Sequence, residues 1–218
     1  MNTTDQRLQR IRTMINKEGI ARAPIGSKEL PSKEGNTYYS WQFYLRSALL
    51  NPTCLQLVCE DFWGKNTDFY LEYPFQLAGV EAASVPIITA LIIDGARRGF
   101  DVNAFTIRKE RKKYGRRNLI EGKPTEEPVM FIDDLTSPQH YAFWHAFYGI
   151  SLESLRFCGK GYVLVLKKKA EESRIIPTSQ GPIFIESLFT LSDFILSYED
   201  WQHHLLQEKE SSQTAAIL

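Results

Sequence analysis

From residue 68 to residue 190 the chain repeats one arrangement, and that arrangement limits the folds open to it. Short runs rich in apolar, β-branched and aromatic residues each read as a strand. They are DFYLEYPF (68–75), VNAFTIRK (102–109), PVMFIDDL (128–135), GYVLVLKK (161–168) and PIFIESL (182–188). Longer segments lie between some of them. SVPIITALIIDGARRG (84–99) reads as a helix stopped near Gly99, and SPQHYAFWHAFYGIS (137–151) as a helix with Pro138 close to its first turn. Strands alternating with helices predict an α/β fold: a parallel sheet flanked by helices on both faces. Ligands of such sheets bind beyond the carboxyl ends of the strands.

The N-terminal part has another character. Leu8, Ile11 and Ile15 recur at helical spacing, which predicts a helix over 4–18. PIGSKELPSKEGN (24–36) reads as a loop or short hairpin, and TYYSWQFYLRSALL (37–50) as a segment containing a strand. NPTCLQLVCEDFWGKN (51–66) carries helix signals: Asn51 as N-cap, Pro52 at N1, and Gly64 near the end. A last helix is expected over LSDFILSYEDWQHHLLQ, starting near Ser192 or Asp193. The expected organisation is an N-terminal helix and small hood in 1–45, an α/β core in 46–206 and a flexible tail in 207–218.

Composition narrows the class. The 218 residues, 43% of them hydrophobic, suffice for one sizeable core. Lys plus Arg and Asp plus Glu both number 26, so a generally cationic nucleic-acid binder is not indicated. No apolar run has the length of a membrane span, and the polar N-terminus is not a signal peptide. Cys54, Cys59 and Cys158 show no CxxC spacing, which suits reduced thiols in the cytoplasm. His140 and His145 lack the i, i+4 spacing of a helical metal pair, and His203 and His204 read as surface.

Three constellations carry chemistry. Asp133 and Asp134 end the third strand, where paired carboxylates accept hydrogen bonds from sugar hydroxyls, hold hydrated Mg²⁺, or simply face water. RKERKKYGRR (108–117) holds seven cations and one acid directly after a strand. It reads as a solvated loop, a nucleic-acid patch or a local anion site. Its position and the glycines around it favour the last, in a lid-like segment closing over a pyrophosphate. Gly79 is expected in a turn between strand and helix, where backbone N–H groups approach a phosphate. Tyr38, Tyr39 and Trp41 form an aromatic segment that stacks on a flat base or belongs to the core.

These stretches resemble one family. RKERKKYGRRNLIEG is similar to the catalytic lid of the orotate phosphoribosyltransferases, RKExKxHGxxxxIEG. AGVEAASVPIITAL is similar to their turn GVELGGVPLATAL, and VMFIDDLTSP to the strand, acid pair and phosphate loop of type I phosphoribosyltransferases. KEGNTYYSWQFYLRSALLNP and IFIESLFTLSDFIL resemble the segment beside the base pocket and the last strand and helix. The resemblance implies a homodimer that transfers phosphoribosyl from 5-phosphoribosyl diphosphate (PRPP), with Mg²⁺, to a nucleobase. It implies Arg108, Lys109, Lys112, Lys113 and Gly79 at the pyrophosphate, with Lys112 as the catalytic lid lysine. Asp133 and Asp134 would hold the ribose or its magnesium, with no direct metal ligand otherwise. Thr136, Ser137, Gln139 and His140 would form the 5′-phosphate loop, and Tyr39 and Lys168 the base pocket.

The chain departs from the pattern in that loop. Pro138 has no N–H to donate, and Gln139 carries a Cβ where the family has glycine. Tyr114 replaces the lid histidine, Ala83 and Ser84 replace a glycine pair, Pro31 stands for a base-pocket lysine, and Lys168 for an arginine. Two functions follow as expectations. One is a PRPP-dependent transferase of weak or altered activity. The other is an inactive nucleotide-sensing or partner-binding subunit, for example of a bacterial defence system.

Overall fold

A computed structural model describes residues 3–24, 30–31, 38–110, 119–136, 141–167, 174–197, 199–200 and 202. In chain order the elements are α1 (Thr3–Glu18), β1 (Ile20–Arg22), β2 (Leu30–Pro31), β3 (Tyr38–Tyr39), β4 (Trp41–Phe43), α2 (Leu45–Leu49) and α3 (Pro52–Glu72). Then come β5 (Gln76–Val80), α4 (Val85–Arg97), β6 (Ala104–Ile107), β7 (Ile120–Gly122), β8 (Val129–Thr136) and α5 (Tyr141–Leu152). The chain continues with β9 (Phe157–Leu166), β10 (Ile175–Thr178), β11 (Gly181–Thr190) and a 3₁₀ turn, Leu191–Asp193.

Seven strands form the central sheet in the order β10-β11-β9-β8-β5-β6-β7. The five inner strands run parallel, as the alternation predicts. The edges are antiparallel: β7 pairs with β6 and β10 with β11. Neither edge strand is legible as part of the alternating pattern, because each is short: β7 has three residues and β10 four. Two small antiparallel pairs, β1 with β4 and β2 with β3, lie outside the sheet.

Strand alternation distributes the core. Leu77, Met130, Ile132, Tyr162 and Leu164 meet α1–α4 on one face, where Ile11, Ile15, Leu49, Phe62, Trp63, Ile87 and Leu91 are buried. Ala78, Val80, Phe105, Phe131 and Val163 meet α5 on the other, through Phe143, Ala146 and Ile150. At about 25 cal/mol per Å² of apolar area, these two clusters are the main term holding the layers together.

Three expectations about elements are corrected. The helix from Asn51 does not end near Gly64; α3 runs on to Glu72. Its start is as read: the Asn51 side chain accepts from Thr53 N at 3.0 Å. A glycine inside a helix costs about 1 kcal/mol, which the burial of Phe62, Trp63 and Asn66 around it outweighs. DFYLEYPF is therefore not a strand. Its first five residues end α3, and the strand is β5, starting at Gln76. No continuous helix begins at Ser192 or Asp193. Thr190 and Asp193 close a capping box around the 3₁₀ turn. The chain then extends, because tertiary hydrogen bonds take the backbone of Ile195: its N–H donates to Asn16 Oδ1 at 3.0 Å and its carbonyl accepts from Arg22 Nε at 2.9 Å. Helical residues reappear at Glu199 and Asp200, with Ser197 Oγ accepting from Asp200 N.

Candidate functional site

The carboxyl ends of β5, β6, β8 and β9 converge on Asp133 and Asp134. Both acids lie inside β8 and are buried, at 3% and 9% exposure. The Asp134 N–H donates to Asp133 Oδ1 at 3.0 Å. Burial and the neighbouring Asp134 carboxylate push the Asp133 carboxyl well above its usual range. Burial also raises Asp134, which accepts a hydrogen bond from Asp133. Two adjacent buried carboxyls resist ionising together, so the pair favours sharing a proton over carrying two charges.

Cations surround this pair. Lys109, just past the end of β6, lowers the Asp133 pKa, and Arg46 on α2 lowers that of Asp134. Lys167, the first residue beyond β9, donates its backbone N–H to Thr136 O at 2.7 Å. Partial desolvation lowers the Lys167 pKa, and attraction to Asp134 offsets part of that. Thr136 ends β8 fully buried, and its hydroxyl has no hydrogen-bond partner among the described residues.

The turn from β5 into α4 spans residues 81–84 and borders the site. Glu81 N donates to Ile107 O at 2.9 Å, and the buried Ser84 hydroxyl donates to Val80 O at 2.9 Å. The peptide between Glu81 and Ala82 is cis. Gly79 is not in this turn, as expected from sequence, but is a buried residue of β5 paired with Thr106. A Cβ there would sit 2.1 Å from Ile132 O and 2.6 Å from Ser84 Cβ. Glycine is required by close strand and turn packing, so any phosphate contact from the turn falls to residues 81–84 and the first N–H groups of α4.

Arg108 is already engaged. Its Nη1 lies 3.1 Å from Glu121 and 3.6 Å from Glu81, and His145 Nε2 meets its carbonyl oxygen at 2.5 Å. This arrangement ties the end of β6 to β7, the 81–84 turn and α5, leaving Lys109 as the described lid cation without such an anchor. Tyr39 stands in β3, about half exposed, beside the equally exposed Tyr38. Both differ from Trp41, which packs edge-on to Phe43.

Lys112, Lys113, Ser137, Gln139, His140 and Lys168 lie outside the described residues. The structure therefore brings together Arg108, Lys109, Asp133, Asp134 and Thr136, with Gly79 beneath them as a spacer. Sequence reasoning missed Arg46 and Lys167. Arg46 was visible as the one cation in an aromatic and apolar stretch, and Lys167 as the residue before Lys168. Among the described residues no group of three or more His, Cys, Asp or Glu side chains is placed to hold a metal, and no helix is long and apolar enough to cross a membrane.

No family model matches the chain. Individual relatives do. It is 27% identical over 184 residues to an orotate phosphoribosyltransferase of Bradyrhizobium diazoefficiens, covering 82% of this chain and 93% of that one. It is 27% identical over 174 residues to an orotate phosphoribosyltransferase of Natronomonas pharaonis, covering 78% and 88%. The fold resembles a phosphoribosyltransferase from Corynebacterium diphtheriae, with a TM-score of 0.63 at 15% identity, over 86% of this chain and 98% of that one. Over most of its length the chain is similar in sequence to orotate phosphoribosyltransferases, and its seven-stranded sheet flanked by helices is the type I phosphoribosyltransferase fold.

Proposed function

We propose that the protein binds PRPP as its magnesium complex and transfers phosphoribosyl to a nucleobase, with weak or altered activity. The observation that carries this reading is the buried acid pair at the end of β8 with Lys109, Arg46 and Lys167 drawn toward it. Two buried carboxylates sharing one proton favour a ligand that supplies either donors or positive charge, and vicinal ribose hydroxyls supply donors. The surrounding cations suit a ligand that also bears phosphates. Bound Mg²⁺ would neutralise charge on the leaving diphosphate. It would arrive with that ligand, with Asp133 and Asp134 within its reach.

The division of labour follows from chemistry. Transfer leaves positive character on the ribose ring and negative charge on the diphosphate. Asp133 and Asp134 fix the ring through its hydroxyls. Lys109, with Lys112 and Lys113 of the same segment, answers the diphosphate charge, and closure of that segment excludes water. Arg108 anchors the base of the segment through Glu121 and Glu81. Tyr39 and Lys168 are the residues proposed for the base, and a homodimer in the cytoplasm, with residues 1–45 as hood, is the proposed setting. The apolar α5 stripe of Trp144, Tyr148 and Leu152, each exposed, is a surface for the second subunit.

One observation favours the alternative, a phosphoribosyltransferase-like subunit without turnover. The segment after Thr136 contains Pro138 and Gln139 in place of glycines, so it offers fewer backbone donors for a 5′-phosphate. Calorimetric titration with PRPP and Mg²⁺, joined to an orotate turnover assay, separates the two. Binding with slow turnover supports the first reading. Binding without turnover on any nucleobase supports the second, and no PRPP binding rejects both as ligand-binding proteins.

A further inference from the structure

We infer that Lys167 contacts the ligand's 5′-phosphate and, with the Thr136 hydroxyl, replaces the backbone donors that the loop after β8 lacks. This rests on the reading of the site as a phosphoribosyl site. Its ground is the placement of two groups at one level of the sheet. Thr136 is the last residue of β8, where the phosphate loop begins, and Leu166 is its partner in register on β9. Lys167 follows directly and is locked to Thr136 through its backbone N–H at 2.7 Å.

The buried Thr136 hydroxyl has no partner among the described residues, although an unsatisfied buried hydroxyl is costly. A ligand oxygen would satisfy it. Lys167 stands beside it on a flexible four-carbon stem, exposed but within the attraction of Asp134. An ammonium drawn toward an acid that binds ribose hydroxyls is well placed for the phosphate on the same sugar. Charge then does the work usually left to a row of amides: a lysine makes a charge-assisted contact without needing the close backbone approach that glycine permits. Pro138 and Gln139 are compatible with such a site, because it asks for no backbone N–H from either position.

The test uses two probes on the full chain, ribose 5-phosphate and pyrophosphate, each titrated calorimetrically with Mg²⁺. Lys167→Ala is expected to weaken ribose 5-phosphate about tenfold, the loss of one charge-assisted hydrogen bond, and to leave pyrophosphate within about twofold. Lys167→Arg is expected to retain most of the affinity and shows that the charge, rather than the fold, is at stake. Unchanged ribose 5-phosphate affinity in Lys167→Ala overturns the inference while leaving the proposed function intact. Equal weakening of both probes also overturns it, because the lysine would then act only through the general field. A parent protein that binds pyrophosphate but not ribose 5-phosphate overturns it too. Failure of the parent to bind either probe removes the proposed function itself.

Discussion

Asp133→Asn is the most informative single change at the acid pair. Asn has the shape of a protonated Asp133 and keeps a donor toward Asp134, but it cannot ionise. In the folded protein the Asp133 carboxyl titrates well above its ordinary value of 3.8, through burial and the adjacent Asp134. A folded-state pKa above the unfolded one means the folded state holds the proton more tightly. Stability is then undiminished below about pH 4, and it falls as pH rises toward the folded pKa. The substitution removes that loss. Asp133→Asn is thus expected to be more stable than the parent at neutral pH by on the order of 2 kcal/mol, the scale of burying a polar group without full compensation. The difference shrinks toward zero near pH 4. Urea unfolding measured across that pH range, with ligand absent, reads the difference directly. A variant less stable at neutral pH, or a stability difference independent of pH, refutes the picture of two acids sharing one proton. Ligand binding that depends on both carboxylates is expected to weaken in the same variant, a trade of function for stability.

Other outcomes follow from particular side chains. Gly79→Ala places a methyl 2.1 Å from Ile132 O, so it is expected to cost about 3 kcal/mol in chemical denaturation, whatever it does to phosphate binding. Replacing Lys109 and Lys112 together with Ala is expected to lower pyrophosphate affinity by about 1.5–3 kcal/mol for each charge-assisted hydrogen bond removed, and added salt is expected to weaken the parent's binding. Burial raises the thiols of Cys54, Cys59 and Cys158 to about 11, 12 and 11, so a thiolate-selective reagent at neutral pH is expected to label the native protein slowly and the denatured protein fast. Trp144→Glu with Tyr148→Glu is expected to give a monomer in light scattering while leaving the circular-dichroism spectrum unchanged, because both side chains are exposed in the single chain.

Local chemistry in the sequence determined much of this protein. Apolar runs bounded by turns are decided by neighbours along the chain. Four of the five inner strands (β6, β8, β9 and β11) and α1, α4 and α5 were accordingly expected close to where they lie, whereas β5 begins only after the run read as a strand. The acid pair and the cationic run after β6 were readable for the same reason, since each is contiguous. Elements whose outcome depends on distant partners were not. Gly64 looks like a helix end until the burial of Trp63 and Phe62 keeps α3 going. Ser192 and Asp193 look like a helix start until Asn16 and Arg22 claim the Ile195 backbone from more than 170 residues away. Gly79 illustrates the same limit at the site. The sequence shows that a glycine follows a buried strand, but only the approach of Ile132 and Ser84 reveals that it makes room rather than offering an amide. Arg46 on α2 and Lys167 just beyond β9 act electrostatically on Asp134 although they are far apart in the chain, and hydrophobic periodicity carries no information about which cation will influence which acid. Long-range convergence of this kind is settled by packing in three dimensions, where a carboxylate held at 9% exposure feels cations that the sequence spreads over more than 120 residues.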